Sequence, residues 1–165
     1  MNRKLAIAAF GLALSAPVSG ALAQSGAAIE RTVASPTAVI SSNISVPAGS
    51  RIVFISGTTP SPLDPAVPDN LGDTRQQTLS ILTKIKAQLE ALGMGMGDVV
   101  KMTVFLVGVP ENEGRMDSAA MNEVFRTFFG TAEQPNRPTR STIQVAALGR
   151  PTMYVEIEAI AAKAP

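Results

Sequence analysis

Three charged side chains in the stretch from 138 to 162 could act together on a small molecule: Arg140, Glu156 and Glu158. An arginine guanidinium can bind a carboxylate through two parallel hydrogen bonds, a geometry that lysine cannot imitate. The functional interpretation is therefore that Arg140 holds the carboxylate of a small substrate, with two glutamates close by. The opposing interpretation is an ordinary pair of opposite charges on a solvated sheet face, which contributes only about 0 to 1 kcal/mol.

The segments that carry these residues predict a β-hairpin. Apolar and polar residues alternate on both sides of a turn at Gly149 and Pro151, as in half-buried strands. In such a hairpin Arg140 would lie opposite Glu158 and diagonal to Glu156. The face with these charges would also carry Thr142, Gln144 and Tyr154, and the face towards the core would carry Ile143, Val145, Met153, Val155, Ile157 and Ala159.

The rest of the chain predicts an α+β domain in which a mixed sheet has two helices packed on one face. Strands are expected near residues 31–34, 38–46, 51–56 and 98–108, which are rich in β-branched or alternating residues. Residues 52–55 are all apolar, which is typical of a strand covered on both faces. The expected order is strands, helix, strand, helix and two strands.

The first helix is predicted from a capping signal followed by regularly spaced apolar residues. Asp73 or Thr74 begins the helix, and Gln76 or Gln77 is the returning partner of a capping box. Apolar residues recur at spacings of three and four up to about Leu92, so one stripe is expected to pack on the sheet. That stripe comprises Leu79, Leu82, Ile85, Leu89 and Leu92.

A second amphipathic helix is predicted over residues 116–129, with Gly130 as its stop. Between the two helices, the glycine-rich run 93–97 leaves a helix and enters a strand, the reverse of the order in phosphate-binding loops. We interpret this run as a helix stop and a turn. The side chains of the second helix that are expected to face the sheet are Met116, Met121, Val124, Phe125 and Phe128.

A proline-rich loop precedes the first helix. Residues 58–72 contain four prolines, and a compact domain rarely carries a loop of this length without a use. The loop either edges a pocket or is a stiff connector, and the sequence leaves both interpretations open.

The N-terminus predicts export from the cytoplasm. Residues 1–23 contain a short basic start, an apolar run too short for a membrane anchor and a small-residue cleavage site, as in a signal peptide. We expect the mature protein to be the single domain 24–165, periplasmic or secreted. No second apolar run follows, so we expect no membrane association after signal cleavage.

Composition excludes several kinds of chemistry. The sequence has no cysteine and no histidine, so thiol catalysis, serine–histidine schemes and zinc sites with nitrogen or sulfur ligands are excluded. Without Arg3 and Lys4 of the signal, the 14 basic residues become 12 against 13 acidic ones, a mature charge of about −1. A near-neutral chain without an aromatic stacking platform is not expected to bind nucleic acid.

Several motifs in the same order resemble the reactive intermediate deaminase family (RidA, or YjgF-like), and together they span nearly all of the mature chain. The motifs are Ser56-Gly57, GDVVKMTVFL at 97–106, Met121-Asn122 with Phe125 and Phe128, PTRST from Pro138, and VEIEAIA from Val155. The resemblance implies a chorismate-mutase-like α+β barrel fold and a homotrimer with sites in the clefts between subunits. It also implies hydrolysis of 2-enamino or 2-imino acids to 2-oxo acids and ammonia, with no cofactor and no metal.

The resemblance also implies roles for individual residues. Arg140 matches the arginine that binds the substrate carboxylate, and Glu156 matches the glutamate near the attacking water. Thr142, where the family often has cysteine, matches a position whose backbone contributes to the pocket. Further positions that line the pocket or lie close to it are Ser56, Gly57 and Asn122.

Two departures from the family make the substrate a separate question. The family usually has a tyrosine in the strand before the first turn, and none occurs at 41–44 here. Most members are also cytosolic. The alternatives to a deaminase are a non-catalytic protein that binds small carboxylates or acts as a holdase, and a ribonuclease, which the charge disfavours.

Overall fold

The computed structural model describes residues 28–165. The expected signal peptide at 1–23 and the expected start of the mature domain at residue 24 lie outside the described residues. The elements are, in chain order, β1 (Glu30–Thr32), β2 (Asn43–Ser45), β3 (Arg51–Thr58), α1 (Thr74–Ala91), β4 (Val99–Val109), β5 (Arg115–Met116), α2 (Ser118–Phe128), β6 (Thr139–Val145) and β7 (Val155–Lys163). The expected order of strands and helices is confirmed.

The longest strand, β4, organises a five-stranded mixed sheet. β7 pairs with one edge of β4 in the antiparallel sense, and β3 pairs with the outer edge of β7. β6 runs parallel to β4 along its other edge, and the two-residue β5 pairs with the last residues of β4. β1 and β2 form a separate antiparallel pair, and both are shorter than the strands expected near 31–34 and 38–46.

The predicted hairpin between β6 and β7 is wrong, because β4 lies between these two strands. Met102 of β4 pairs with Arg140 on one side and with Ala159 on the other. The physical reason is that the backbone of the buried strand β4 needs hydrogen-bond partners on both of its edges. β6 and β7 supply them, and the connection 146–154 between these two strands passes the end of β4. Arg140 is therefore separated from β7 by a full strand.

The same pairing reverses the faces expected for β6. Residues paired across strands point to one side of the sheet, so Arg140 and Thr142 face the same side as the buried Met102 and Val104. Ile143 points to the opposite side and is 46% exposed, so its predicted position in the core is wrong. The β7 side of the prediction is confirmed, since the core contains Met153, Val155, Ile157 and Ala159.

Both helices pack on one face of the sheet, as expected. Asp73 caps α1 by accepting a hydrogen bond from the Gln76 N–H at 2.8 Å, and the Gln76 side chain returns a bond to the Asp73 N–H. Leu79 and Leu92 are 50% and 40% exposed, so their assignment to the buried stripe is wrong. The buried face of α1 includes Gln77, whose side chain bonds to the backbone of Thr152, Tyr154 and Val155 and so turns this face towards the sheet. That face comprises Thr74, Gln77, Thr78, Ile81, Leu82, Ile85 and Leu89.

In α2, Met121, Val124 and Phe125 are buried as expected. Met116 lies in β5 instead, because the helix begins after Asp117, whose carboxylate accepts a hydrogen bond from the Ala120 N–H at 3.0 Å. No helix within 28–165 has both the length and the apolar character needed to cross a membrane.

Among residues 28–165, no helix packs on the other face of the sheet, which we call the open sheet face. On β3, Phe54 is 76% exposed and Ile52 is 42% exposed, so the expectation that residues 52–55 are covered on both faces is wrong for the single chain. The side chains that point to the open sheet face include Ile52, Phe54, Lys101, Thr103, Phe105, Ile143, Glu156 and Glu158.

Candidate active site

Arg140 lies on β6 and reaches across to α2. Its Nη2 donates a hydrogen bond to Asn122 Oδ1 at 2.7 Å, and its Nη1 contacts the Met121 sulfur at 3.5 Å. The guanidinium carbon lies 4.3 Å from the centre of the Phe125 ring, a cation–π distance. The residues in these contacts are all neutral, so they orient the guanidinium without cancelling its charge.

Within residues 28–165, the half-buried Arg140 has no carboxylate partner. The ion pairs within the described part of the chain are Arg75–Glu123 and Lys86–Glu90. Burial, and secondarily the positive charge of Arg126, lower the pKa of Arg140 to about 10. The group is still a cation at neutral pH, and a partly desolvated cation without a counter-ion favours binding of an anion.

A second group of predicted site residues lies where β3 and β7 meet. The carboxylate of Glu156 lies directly against Gly57, and a Cβ atom on Gly57 would collide with Glu156 Oε1. Any larger residue at position 57 would therefore displace this carboxylate. Ser56 is exposed and lies beside the same strand junction.

A groove of about 380 Å³ on the open sheet face begins at Ser56. Its polar lining comprises Ser56, Lys101, Thr103 and Glu158, and its apolar lining includes Phe54 and Ile160. Lys101 Nζ donates a hydrogen bond to Ser141 Oγ at 2.9 Å. Glu158, expected opposite Arg140 in the predicted hairpin, lies in this groove and does not contact Arg140 within the chain.

The structure does not bring Arg140 and Glu156 together within one chain. Arg140 pairs with Met102, and Glu156 pairs with Phe105, three positions further along β4. Residues an odd number apart on a strand point to opposite faces, so the two side chains lie on opposite sides of the sheet. The predicted convergence on one hairpin face is therefore wrong.

The predicted site residues form two groups instead. The first is on the helix side, where Asn122 contacts Arg140 and Thr142 follows two residues along β6. The Thr142 hydroxyl is buried and has no hydrogen-bond partner among the described residues. The second group, on or beside the open sheet face, comprises Ser56, Gly57 and Glu156.

Three residues near these groups are not among those predicted from the sequence. Arg126 lies one helical turn after Asn122, a spacing of four that puts both on one side of α2. Lys101 and Thr103 alternate with buried residues of β4 and so mark its open face. Among residues 28–165, no three carboxylates lie close enough together to hold a metal ion.

The mixed sheet with two helices on one side defines an α+β protein, and within residues 28–165 the arginine at the sheet edge has no carboxylate partner. Residues 32–163 match the family model described as Endoribonuclease L-PSP. The chain belongs to this family, which includes the reactive intermediate deaminase (RidA, or YjgF-like) proteins that the motifs resemble.

Named relatives and solved structures agree with this assignment. Two curated relatives are TdcF of Escherichia coli, named as a reactive intermediate deaminase, and a 2-iminobutanoate/2-iminopropanoate deaminase of Salmonella typhimurium. TdcF is 38% identical over 112 residues, which cover 68% of this chain and 79% of TdcF. The Salmonella deaminase is 35% identical over 112 residues, which cover 68% of this chain and 80% of that protein.

Two solved structures have the same fold. The Rid family protein YyfB of Yersinia pestis matches with a TM-score of 0.60 at 28% identity and covers 75% of this chain and 86% of its own. E. coli TdcF with bound serine matches with a TM-score of 0.55 at 37% identity and covers 72% of this chain and 84% of its own. The α+β fold class is confirmed.

Proposed function

We propose that this protein is a cofactor-independent deaminase that hydrolyses small 2-enamino or 2-imino acids to 2-oxo acids and ammonia. The observation that carries the proposal is the Arg140 guanidinium, which is oriented by Asn122 and Phe125 and has no carboxylate partner in the described chain. A substrate carboxylate would supply the missing counter-ion. The names of the relatives support the reaction.

The complete site is formed between protomers of a homotrimer. Arg140 and Glu156 lie on opposite sides of the sheet in one chain, so one substrate can contact both only if the residues come from different chains. The open sheet face, where Phe54 is 76% exposed, is a suitable surface for a second copy. In such an assembly Arg140 of one protomer meets Glu156 of its neighbour.

The reaction then needs only orientation and proton transfer. Arg140 holds the carboxylate of the imino acid, whose C2 is already electrophilic. Glu156 accepts a proton from a water molecule as its oxygen bonds to C2, and this proton passes to the nitrogen, which gives a carbon that carries a hydroxyl and an amino group. Glu156 then accepts the hydroxyl proton and passes it to the amino group. The C2–N bond then breaks, ammonia leaves with the bonding pair, and the oxygen becomes the carbonyl of the 2-oxo acid. The Thr142 backbone orients the intermediate.

The basic activity can be measured directly. We expect purified mature protein, supplied with enzymatically generated 2-aminoacrylate, to accelerate pyruvate release. Arg140→Ala is expected to reduce kcat/KM by roughly a hundredfold or more, because a charge-assisted bidentate contact is lost. Equal rates for the wild type and Arg140→Ala would contradict the role of Arg140.

Mixed oligomers test whether the site is shared. Arg140→Ala and Glu156→Gln are each expected to be inactive. Trimers assembled from equal amounts of both variants should regain roughly a quarter of the wild-type sites, because that fraction of interfaces pairs an intact Arg140 with an intact Glu156. A site within one chain would give no recovery. Mixtures of preassembled trimers that have not exchanged subunits are the control.

Export is part of the proposed function. We propose that residues 1–23 are removed as a signal peptide and that the domain from Gln24 acts in the periplasm or outside the cell. The mass of the protein purified from the periplasm or medium should correspond to a chain that begins at Gln24. A cytoplasmic protein that retains Met1 would contradict this.

The alternative function is non-catalytic binding of small carboxylates. Arg140 favours it, because the guanidinium and the side chains that orient it lie within one chain, whereas Glu156 lies on the other side of the sheet. Saturable binding of 2-oxo acids without turnover of any imine would identify this function. RNA cleavage that is lost on Arg140→Ala would instead support the activity in the family description.

A further inference from the structure

A second groove with two arginines lies beside the Arg140 site. It has a volume of about 300 Å³, and its charged lining residues are Arg126 and Arg137, with no aspartate or glutamate among them. The rest of the lining comprises Pro36, Thr37, Ala38, Val39, Phe129 and Gly130. The groove therefore has the charge that suits an anionic group.

Neighbouring residues of α2 and its C-terminal end contact both the groove and Arg140. Asn122, which accepts the hydrogen bond from Arg140, and Arg126 are four residues apart, a spacing of about 5–6 Å between Cβ atoms on one side of the helix. The Phe125 ring, which lies under the Arg140 guanidinium, is 4.5 Å from the Phe129 ring, which lines the groove. A short molecule could thus extend from one arginine to the next.

The side chain of Arg137 is held in place before any ligand binds. Its Nη2 donates to the Pro36 carbonyl at 3.2 Å and its Nη1 to the Pro135 carbonyl at 3.4 Å. It also lies against Gly130, which has a φ of +75° and leaves no room for a Cβ atom beside the guanidinium. Groups fixed in this way lose little further freedom when a ligand binds.

The positive charges in this region are not balanced. Neither Arg126 nor Arg137 forms an ion pair in the part of the chain that the structure describes. Arg126 is also close enough to Arg140 for its charge to contribute, after burial, to the lowered pKa of Arg140. Three arginines around one stretch of surface repel one another, and a ligand with two negative groups would relieve that repulsion.

We propose that the ligand held by Arg140 carries a second carboxylate and that Arg126 and Arg137 bind it. The preferred substrates are short dicarboxylic 2-imino acids, and the products are the corresponding dicarboxylic 2-oxo acids. The proposal relies on the proposed function for the placement of the first carboxylate at Arg140. Arg126, on an exposed helix surface, is the residue that determines the preference.

Binding of two 2-oxo acids tests the preference without requiring turnover. In calorimetric titrations of the mature protein, 2-oxoglutarate should bind roughly tenfold or more tightly than 2-oxobutanoate, the gain of one further charge-assisted contact. Arg126→Gln should reduce this ratio towards one, and Arg126→Glu should reverse it. Because Arg126 is exposed, neither change is expected to disturb folding.

The matched control is Arg115→Gln, which removes the same charge from an exposed arginine on β5. Arg115 pairs with Val109, seven positions along β4 from the partner of Arg140, or about 23 Å. This variant should keep the wild-type ratio. A loss of preference in Arg115→Gln would show a general charge effect and overturn the proposal.

The outcomes separate this proposal from the deaminase function. Equal affinities for the two acids, or a ratio unchanged by Arg126→Gln, overturn the dicarboxylate preference while Arg140-dependent imine hydrolysis would still stand. A preference for the diacid without turnover of any imine overturns the deaminase and supports the present inference. If neither acid binds, the dicarboxylate preference is overturned, and Arg140-dependent imine hydrolysis then decides the deaminase function separately.

Discussion

The positive charge of Arg140 is available to an anion because the side chains that contact it are neutral. An aspartate at position 122 would be nearly the same size as Asn122 and would pair with the guanidinium, whereas the amide only orients it through the 2.7 Å hydrogen bond. A neutral partner leaves the positive charge available to a ligand. The partly desolvated charge therefore costs some stability and favours binding.

The neutral charge of Asn122 predicts the effect of Asn122→Asp. The new carboxylate should occupy the guanidinium, so affinity for 2-oxobutanoate should fall by roughly tenfold or more while the free energy of unfolding does not decrease. Calorimetric titration and urea denaturation measure the two quantities.

Asn122→Ala is the companion variant, because it removes the orienting bond without adding a charge. Its affinity loss should be smaller than that of Asn122→Asp. A loss in Asn122→Asp no greater than that in Asn122→Ala would show that charge compensation is not what keeps the site open.

Among the elements, α1 and β7 are joined by one fully buried glutamine. Gln77 Nε2 donates to the carbonyls of Gly72 and Thr152 at 2.9 and 2.8 Å, and its Oε1 accepts from the N–H groups of Tyr154 and Val155 at 2.8 and 3.2 Å. These bonds connect the start of α1 to the start of β7. They therefore help to fix the register of the strand that carries Glu156.

Replacing this glutamine should destabilise the fold strongly. Gln77→Leu keeps the approximate volume but leaves four backbone groups without their partner, so we expect a loss of about 3 kcal/mol or more in the free energy of unfolding. Gln88→Leu, an exposed position of the same helix, should change it by less than about 0.5 kcal/mol. Comparable losses in the two variants would refute the role of Gln77.

For the whole molecule, the open sheet face is the feature that a single chain leaves incomplete. Phe54, its most exposed apolar residue, lines the groove together with Ser56, Lys101 and Glu158. Coverage of this face by a second copy would remove apolar surface from water and enclose that groove. Assembly and function are therefore expected to depend on the same surface.

A charge on this face should prevent assembly. Phe54→Asp is expected to give a folded monomer with little imine hydrolysis, because Glu156 then has no neighbouring Arg140. Sedimentation velocity would report the mass and circular dichroism the fold. Leu79→Asp, at an exposed leucine on α1, should remain a trimer, and a fully active monomeric Phe54→Asp would disprove the shared site.

Local sequence patterns were sufficient to predict most of the elements, and they singled out candidate site residues. The capping box at Asp73 depends on residues within a few positions of it, and so do the apolar spacings of three and four in helices and of two in strands. Arg140 and Glu156 were recognisable as unusual residue types within apolar strands. The exposed Leu79 was mispredicted because leucine spacing alone does not set the rotation of a helix.

The sequence by itself determined the order of strands and helices, the absence of cysteine and histidine chemistry, and the family to which the chain belongs. Only the tertiary structure decided that β4 lies between β6 and β7, and hence that Arg140 and Glu156 occupy opposite sides of the sheet. The physical reason is that strand pairing is a long-range choice: alternation specifies which residues share a face, but the partner strand depends on hydrogen bonding across the whole sheet.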